Sequence, residues 1–163
     1  AALLAGCPKE TLQASLETFV NESHRMEWSG EHKGVRYIND SKATNVDAVY
    51  YALGAMKTPV IWIAGGQDKG NDYGPIMDLV QNKVKALICL GIDNVKLYEA
   101  FSTKVNYISE TTSMREAVRR AASLASPGDT VLLSPACASF DLFRDYRDRG
   151  DQFKHEVKEL NHV

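Results

Sequence analysis

Three short stretches limit the possible folds most tightly. "TPVIWIAGG" (58–66) is a continuous apolar run that closes on two glycines, and "VKALICLG" (84–91) and "GDTVLLSPA" (128–136) hold apolar runs that also close on small residues. A strand with one face in water alternates apolar and polar residues, whereas an unbroken run marks a strand buried on both faces. Segments of helical period separate the runs, near 46–56, 75–82, 94–101 and in "SMREAVRRAASLA", where Met114, Val118, Ala121 and Leu124 form one stripe. "VNYIS" adds a short strand before that last helix. This alternation predicts βαβ units and so a Rossmann-like α/β fold, a mostly parallel sheet with helices on both faces.

The flanks carry weaker patterns. "HRMEWSGEHKGVRYIND" alternates about "HKG" and predicts an N-terminal β-hairpin. Leu12, Leu16, Phe19 and Val20 predict a helix over about 9–21. In the tail, Ser139 is placed to cap a helix starting at Phe140, with a break near Gly150 and an amphipathic helix after it. The opening "AALLAG" lacks Met and reads as the inside of a helix, so we expect a piece of a longer chain.

Composition narrows the function classes. The 163 residues are 44% hydrophobic and 25% charged, enough for one sizeable soluble domain. A net charge of -2 gives nucleic-acid binding no support. No apolar run approaches the roughly 20 residues that span a bilayer, and no secretory signal is present, so a cytoplasmic protein without membrane contact is expected. Cys7, Cys89 and Cys137 are widely spaced, without metal-ligand spacing, and read as reduced thiols. His32, His155 and His162 lie in polar stretches and read as solvated.

In open α/β sheets, ligands sit at the carboxyl ends of strands. Three such ends are rich in polar chemistry. In "NDSKATN" (39–45), Thr44 or Asn45 can cap the helix that begins at Val46, whose N-terminus attracts anions. Lys42 adds a cation there and Asp40 an acceptor. In "GGQDKGND" (65–72), the glycines permit close backbone approach, and Lys69 can project as an anion partner. In "SPACASFD" (134–141), Ser139 offers a hydroxyl. Arg25 of "HR" can reach a phosphate. Each feature also has a plain structural reading as a cap, a turn or a solvated side chain. Two lysines and two hydroxyls on one rim suit a small dianion such as a dicarboxylate.

The motifs "HR", "NDSKATN", "GGQDKGND", "LLSPACASFD" and "RGDQF", in this order, resemble the C-terminal domain of the Mur ligase family. "NDSKATN" points to the branch that adds D-glutamate. The resemblance runs from His24 to Val163, and residues 1–23 look like the end of the preceding, central ATPase-type domain. It implies an ATP-dependent ligase that adds D-glutamate to UDP-N-acetylmuramoyl-L-alanine through an acyl phosphate. It also implies that the phosphate loop and the Mg²⁺ ligands lie outside this chain, and no GKS or GKT loop occurs in it, so the chain alone is expected to be inactive. By the same resemblance, Thr44, Lys69, Ser139, Phe140 and Tyr146 hold D-glutamate, Lys42 serves the catalytic pocket, and Arg25 and Asp40 contact ATP. The chain itself binds no metal in this reading, and a monomer is expected. Tyr146 replaces the Phe of some relatives, a neutral change if the contact is through backbone. The alternatives are a stand-alone nucleotide- or amino-acid-binding Rossmann-like module, and a nicotinamide-dependent oxidoreductase, which lacks its G-x-G-x-x-G here.

Overall fold

The computed structural model describes residues 5–19 and 21–161. Residues 1–4 of the expected opening helix, the apolar position Val20 and His162 lie outside them. In chain order the elements are α1 (Lys9–Glu17), β1 (Glu27–His32), β2 (Val35–Asn39), α2 (Val46–Ala55), β3 (Val60–Ala64), α3 (Met77–Lys83), β4 (Val84–Leu90), α4 (Val95–Phe101), β5 (Tyr107–Thr111), α5 (Met114–Leu124), β6 (Thr130–Leu133) and α6 (Tyr146–Glu159). Among the described residues α1 ends at Glu17, earlier than expected, and it buries none of its side chains.

Six strands form one sheet in the order β1-β2-β6-β3-β4-β5, parallel except for the hairpin strand β1. The unbroken apolar runs follow from the layers above and below. Trp62, Leu87 and Leu132 point into a core shared with α2, α3 and α4. Ile61, Ile63, Ile88, Val131 and Leu133 point into a second core beneath α5 and α6. Every residue of β3 is buried, because its side chains alternate between two apolar layers rather than between core and water.

The last strand returns to the middle of the sheet. β6 lies between β2 and β3, and the chain leaves it toward the α5–α6 face, while β2 and β3 both lead to helices on the other face. The connections therefore diverge around the carboxyl end of β6, which opens a crevice for ligands there.

The tail departs from the sequence reading. Ser139 does not cap a helix at Phe140. Its carbonyl accepts the N–H groups of Phe143 (2.9 Å) and Leu142 (3.3 Å) in a single turn. The helix starts only at Tyr146, where the Asp145 carboxylate accepts from the N–H groups of Arg147 (2.8 Å) and Asp148 (2.9 Å). A carboxylate that satisfies two free donors is the stronger start signal. Nor does Gly150 break the helix. It lies inside α6, where a Cβ would come 2.2 Å from His24 Nδ1, so glycine serves close packing.

Candidate functional site

Register brings the three polar strand ends level. Leu133 of β6 pairs with Asn39 of β2 on one side and Ile63 of β3 on the other. The loops that follow are laced together by backbone. Asp40 N–H donates to Leu133 O (2.7 Å), Ala136 N–H to Ala43 O (3.0 Å) and Gly65 N–H to Pro135 O (2.9 Å). Gln67 and Ala138 exchange a pair of hydrogen bonds, at 2.8 and 3.2 Å. This lacing requires Gly66, since a Cβ there would lie 2.2 Å from Ala138 O. Ala136 is held at φ 62°, a conformation that costs energy for a residue with a Cβ.

One side chain that does not stand out in the sequence joins all three loops. Arg149, only 1% exposed, reaches from α6 beneath the strand ends. Its Nε donates to Ser41 Oγ (3.0 Å) and its Nη2 to Ser41 O (2.9 Å). Its Nη1 donates to Cys137 O (3.1 Å) and, at a longer 3.4 Å, to Gly65 O. No carboxylate lies within bonding distance of it among the described residues. Burial lowers its pKa to about 10, with Cys137 and Asp141 opposing, so the guanidinium stays charged at neutral pH.

The loop after β2 is a dense polar knot. The Asn39 amide donates to His24 Nδ1 (3.0 Å) and Glu27 Oε2 (3.0 Å), and its carbonyl accepts from Ser41 N–H (3.1 Å). His24 is thus a buried acceptor, and desolvation lowers its pKa. Asp40, 5% exposed, accepts from Met26 N–H (3.1 Å) and Ser134 Oγ (2.9 Å). Burial pushes its pKa up to about 6 against those hydrogen bonds. Asn45, not Thr44, caps α2, accepting from Ala48 N–H at 2.9 Å. Half-buried Lys42 is held by the Glu22 carboxylate and lies 5.8 Å from the centroid of the Tyr146 ring.

The remaining candidates sit around this knot. Lys69 is exposed on the loop after β3, whose turn is fixed by Asp68 accepting from Gly70 N–H (2.6 Å) and Asn71 N–H (3.1 Å). Ser139 is buried, whereas Phe140 projects into solvent. Tyr146 opens α6 and its carbonyl accepts from Ser41 Oγ at 2.7 Å. Cys137 is buried against Tyr73, and desolvation raises its thiol pKa, which disfavours a nucleophilic thiolate. His32 is half-buried and bonded to Asn161 (2.8 Å), not fully solvated as expected, while His155 is exposed.

Two clefts open at this end. One, of about 280 Å³, is lined by Asn21, Arg25, Met26, Asp40, Lys42, Ala43, Ala48, Tyr51 and Ala52. It brings together all three residues expected to serve ATP and catalysis. The other, of about 500 Å³, lies beyond β3 and carries Asp68, Asp93 and Asp141 against one cation, Lys96, a poor match for a dianion. Thr44, Lys69, Ser139, Phe140 and Tyr146 line neither cleft. Among the described residues, no group of three His, Cys, Asp or Glu side chains is arranged to hold a metal ion. No described helix is long and apolar enough to cross a membrane.

The sheet order and the laced strand-end loops define an open, Rossmann-like α/β domain whose polar side chains gather at the carboxyl ends of β2, β3 and β6. Residues 24–137 match the family described as "Mur ligase, glutamate ligase domain", and the chain belongs to the Mur ligase family. It is 58% identical over 151 residues to the UDP-N-acetylmuramoylalanine--D-glutamate ligase of Porphyromonas gingivalis, covering 93% of this chain and 34% of that protein. To the enzyme of the same name from Cytophaga hutchinsonii it is 54% identical over 160 residues, covering 98% and 36%. The chain thus spans about a third of the length of the curated relatives it matches. Among solved structures, its fold resembles UDP-N-acetylmuramate-alanine ligase MurC from Thermotoga maritima, with a TM-score of 0.60 at 14% identity over 97% of this chain and 35% of that one. A folylpolyglutamate synthase/dihydrofolate synthase from Yersinia pestis, crystallised with AMPPNP and manganese, gives a TM-score of 0.57 at 18% identity over 96% and 35%.

Proposed function

We propose that this chain is the D-glutamate-binding part of a UDP-N-acetylmuramoylalanine--D-glutamate ligase, which joins D-glutamate to UDP-N-acetylmuramoyl-L-alanine at the cost of ATP. The observation that carries the proposal is the 58% identity to a ligase of that name across 93% of the chain. Residues 1–23 belong to the preceding domain in this proposal. The family match begins at His24, and α1 buries nothing here.

The chemistry of the smaller cleft suits the nucleotide. Arg25 and Lys42, beside the acceptor Asp40, give the smaller cleft the donor set of a phosphate and ribose site. Glu22 already pairs with Lys42, so an incoming phosphate competes with that carboxylate for the ammonium. At about 280 Å³ the cleft falls just below the roughly 300–1,000 Å³ usual for a small-molecule site, as expected of a site completed by another domain. Bound ATP supplies the phosphoryl group that converts the acceptor carboxylate to an acyl phosphate. The amine of D-glutamate then attacks the carbonyl carbon, phosphate leaves, and the amine gives up its proton. This chain's contribution is orientation. Lys69 and Thr44 hold the α-carboxylate, Ser139 with the backbone near Phe140 and Tyr146 holds the side-chain carboxylate, and the amine is left facing the acyl carbon. The phosphate loop and the Mg²⁺ ligands are assigned to the other two thirds of the protein.

A ligation assay on the full-length protein tests this reading, comparing D-glutamate with L-glutamate, L-lysine and L-alanine. D-glutamate is expected to be the only good substrate. Lys69→Ala should raise KM for D-glutamate at least tenfold, from loss of a charge-assisted contact worth about 1.5–3 kcal/mol, while KM for ATP holds. Preference for another amino acid, or unchanged D-glutamate kinetics in Lys69→Ala, refutes it.

A further inference from the structure

We propose that Tyr51 is the stacking platform for the nucleobase of the bound nucleoside triphosphate. The inference rests on the reading that the smaller cleft holds ATP, and it adds a specificity residue to that cleft.

Polar and apolar groups are segregated in the cleft. Arg25, Lys42 and Asp40 offer cations and an acceptor, while Ala43, Ala48, Tyr51 and Ala52 make an apolar wall. Ala48, Tyr51 and Ala52 are spaced three and four residues apart on α2, so they share one helix face. Two methyl groups beside one large ring form a step on which a planar group rests flat against alanine with its face against tyrosine. Tyr51 is 74% exposed, more than any other exposed large hydrophobic side chain described. A single exposed tyrosine is ordinary on a protein surface. This one is distinguished by its place on the wall of a cleft that also carries two cations. Its ring is also braced, edge to face, by Tyr50 at 5.5 Å and 89°, and so loses little freedom when a ligand stacks on it. A nucleotide is the ligand whose parts match both ends: phosphates for Arg25 and Lys42, a ribose for Asp40, and a flat aromatic base for the step.

The test uses the full-length ligase and 2-aminopurine riboside triphosphate, whose fluorescence falls when its base stacks. Wild type and Tyr51→Phe are expected to quench the probe. Tyr51→Ala, a surface change that leaves the core intact, is expected to lose the quench and raise KM for ATP about 5- to 20-fold, the lower part of the range for base–aromatic stacking. KM for D-glutamate should not change. An undiminished quench and an unaltered KM for ATP in Tyr51→Ala overturn the inference, as does a drop in kcat alone, which would make the ring a domain contact. Arg25→Ala separates the two levels. If it weakens nucleotide binding while Tyr51→Ala does not, only the stacking role fails. If neither variant affects nucleotide binding, the reading of the cleft fails with it.

Discussion

Replacing Arg149 with methionine, which keeps much of the volume and removes the charge and donors, should loosen all three strand-end loops at once. Ser41 O and Cys137 O would lose their donors at 2.9 and 3.1 Å, and Ser41 Oγ would lose one at 3.0 Å. Each buried carbonyl left unpaired costs about 1–3 kcal/mol. Relief from burying a cation offsets part of the loss at the two carbonyls, which leaves a net loss of about 3 kcal/mol. That is a large fraction of the roughly 5–15 kcal/mol that holds a domain folded. For a urea slope of about 2 kcal/mol per molar, the unfolding midpoint should fall by about 1.5 M. Arg149→Lys should recover only part of the loss. An ammonium keeps the charge, but its donors radiate from one point, while the guanidinium fork reaches Ser41 on one side and Cys137 and Gly65 on the other. Urea unfolding of the 163-residue chain followed by circular dichroism measures both variants. A midpoint within about 0.3 M of wild type for Arg149→Met would show that the strand ends hold together without it. Full recovery by lysine would show that charge alone matters, and the fork argument would fail.

Two further predictions concern the knot behind β2. Gly150→Ala places a Cβ 2.2 Å from buried His24 Nδ1 and should destabilise the chain by about 1–3 kcal/mol through overpacking, read as a lower thermal midpoint, and an unchanged midpoint would mean that His24 moves aside freely. Asp40 has a folded pKa of about 6, above its unfolded value of about 4, so the folded state binds the extra proton and stability falls as pH rises from about 4 to about 6. Asp40→Asn should flatten that part of the profile in urea midpoints taken across the window, and parallel profiles for the two proteins would rule out Asp40 as its source.

Residues differ in how much their local sequence reveals. β3, β4 and β6 are legible because two cores demand apolar residues at nearly every position, Lys85 and Thr130 near the strand starts excepted, and that demand is written along a single strand. The insertion of β6 between β2 and β3 is not legible, since it is decided by pairings between residues some 70 to 95 positions apart, such as Ile63 and Asn39 with Leu133. Lys42, Lys69 and Ser139 stood out by residue type beside a strand end, although which of them share a cleft depends on the side to which each loop turns. Arg149 failed to stand out for a different reason. "FRDYRDRGDQF" holds three arginines, and by composition all three look solvated. What separates them is helical phase. With the helix started at Asp145, Arg149, Phe153 and Val157 fall four residues apart on the buried face, and Gly150 beside them makes room for His24. A helix break at Gly150 would hide that phase, and the structure has none there. The usable signal was the combination of an aspartate cap, a four-residue apolar spacing and an arginine in step with it. An arginine in phase with a core stripe must bury its charge, and it does so only where several carbonyls converge, as they do at the ends of β2, β3 and β6.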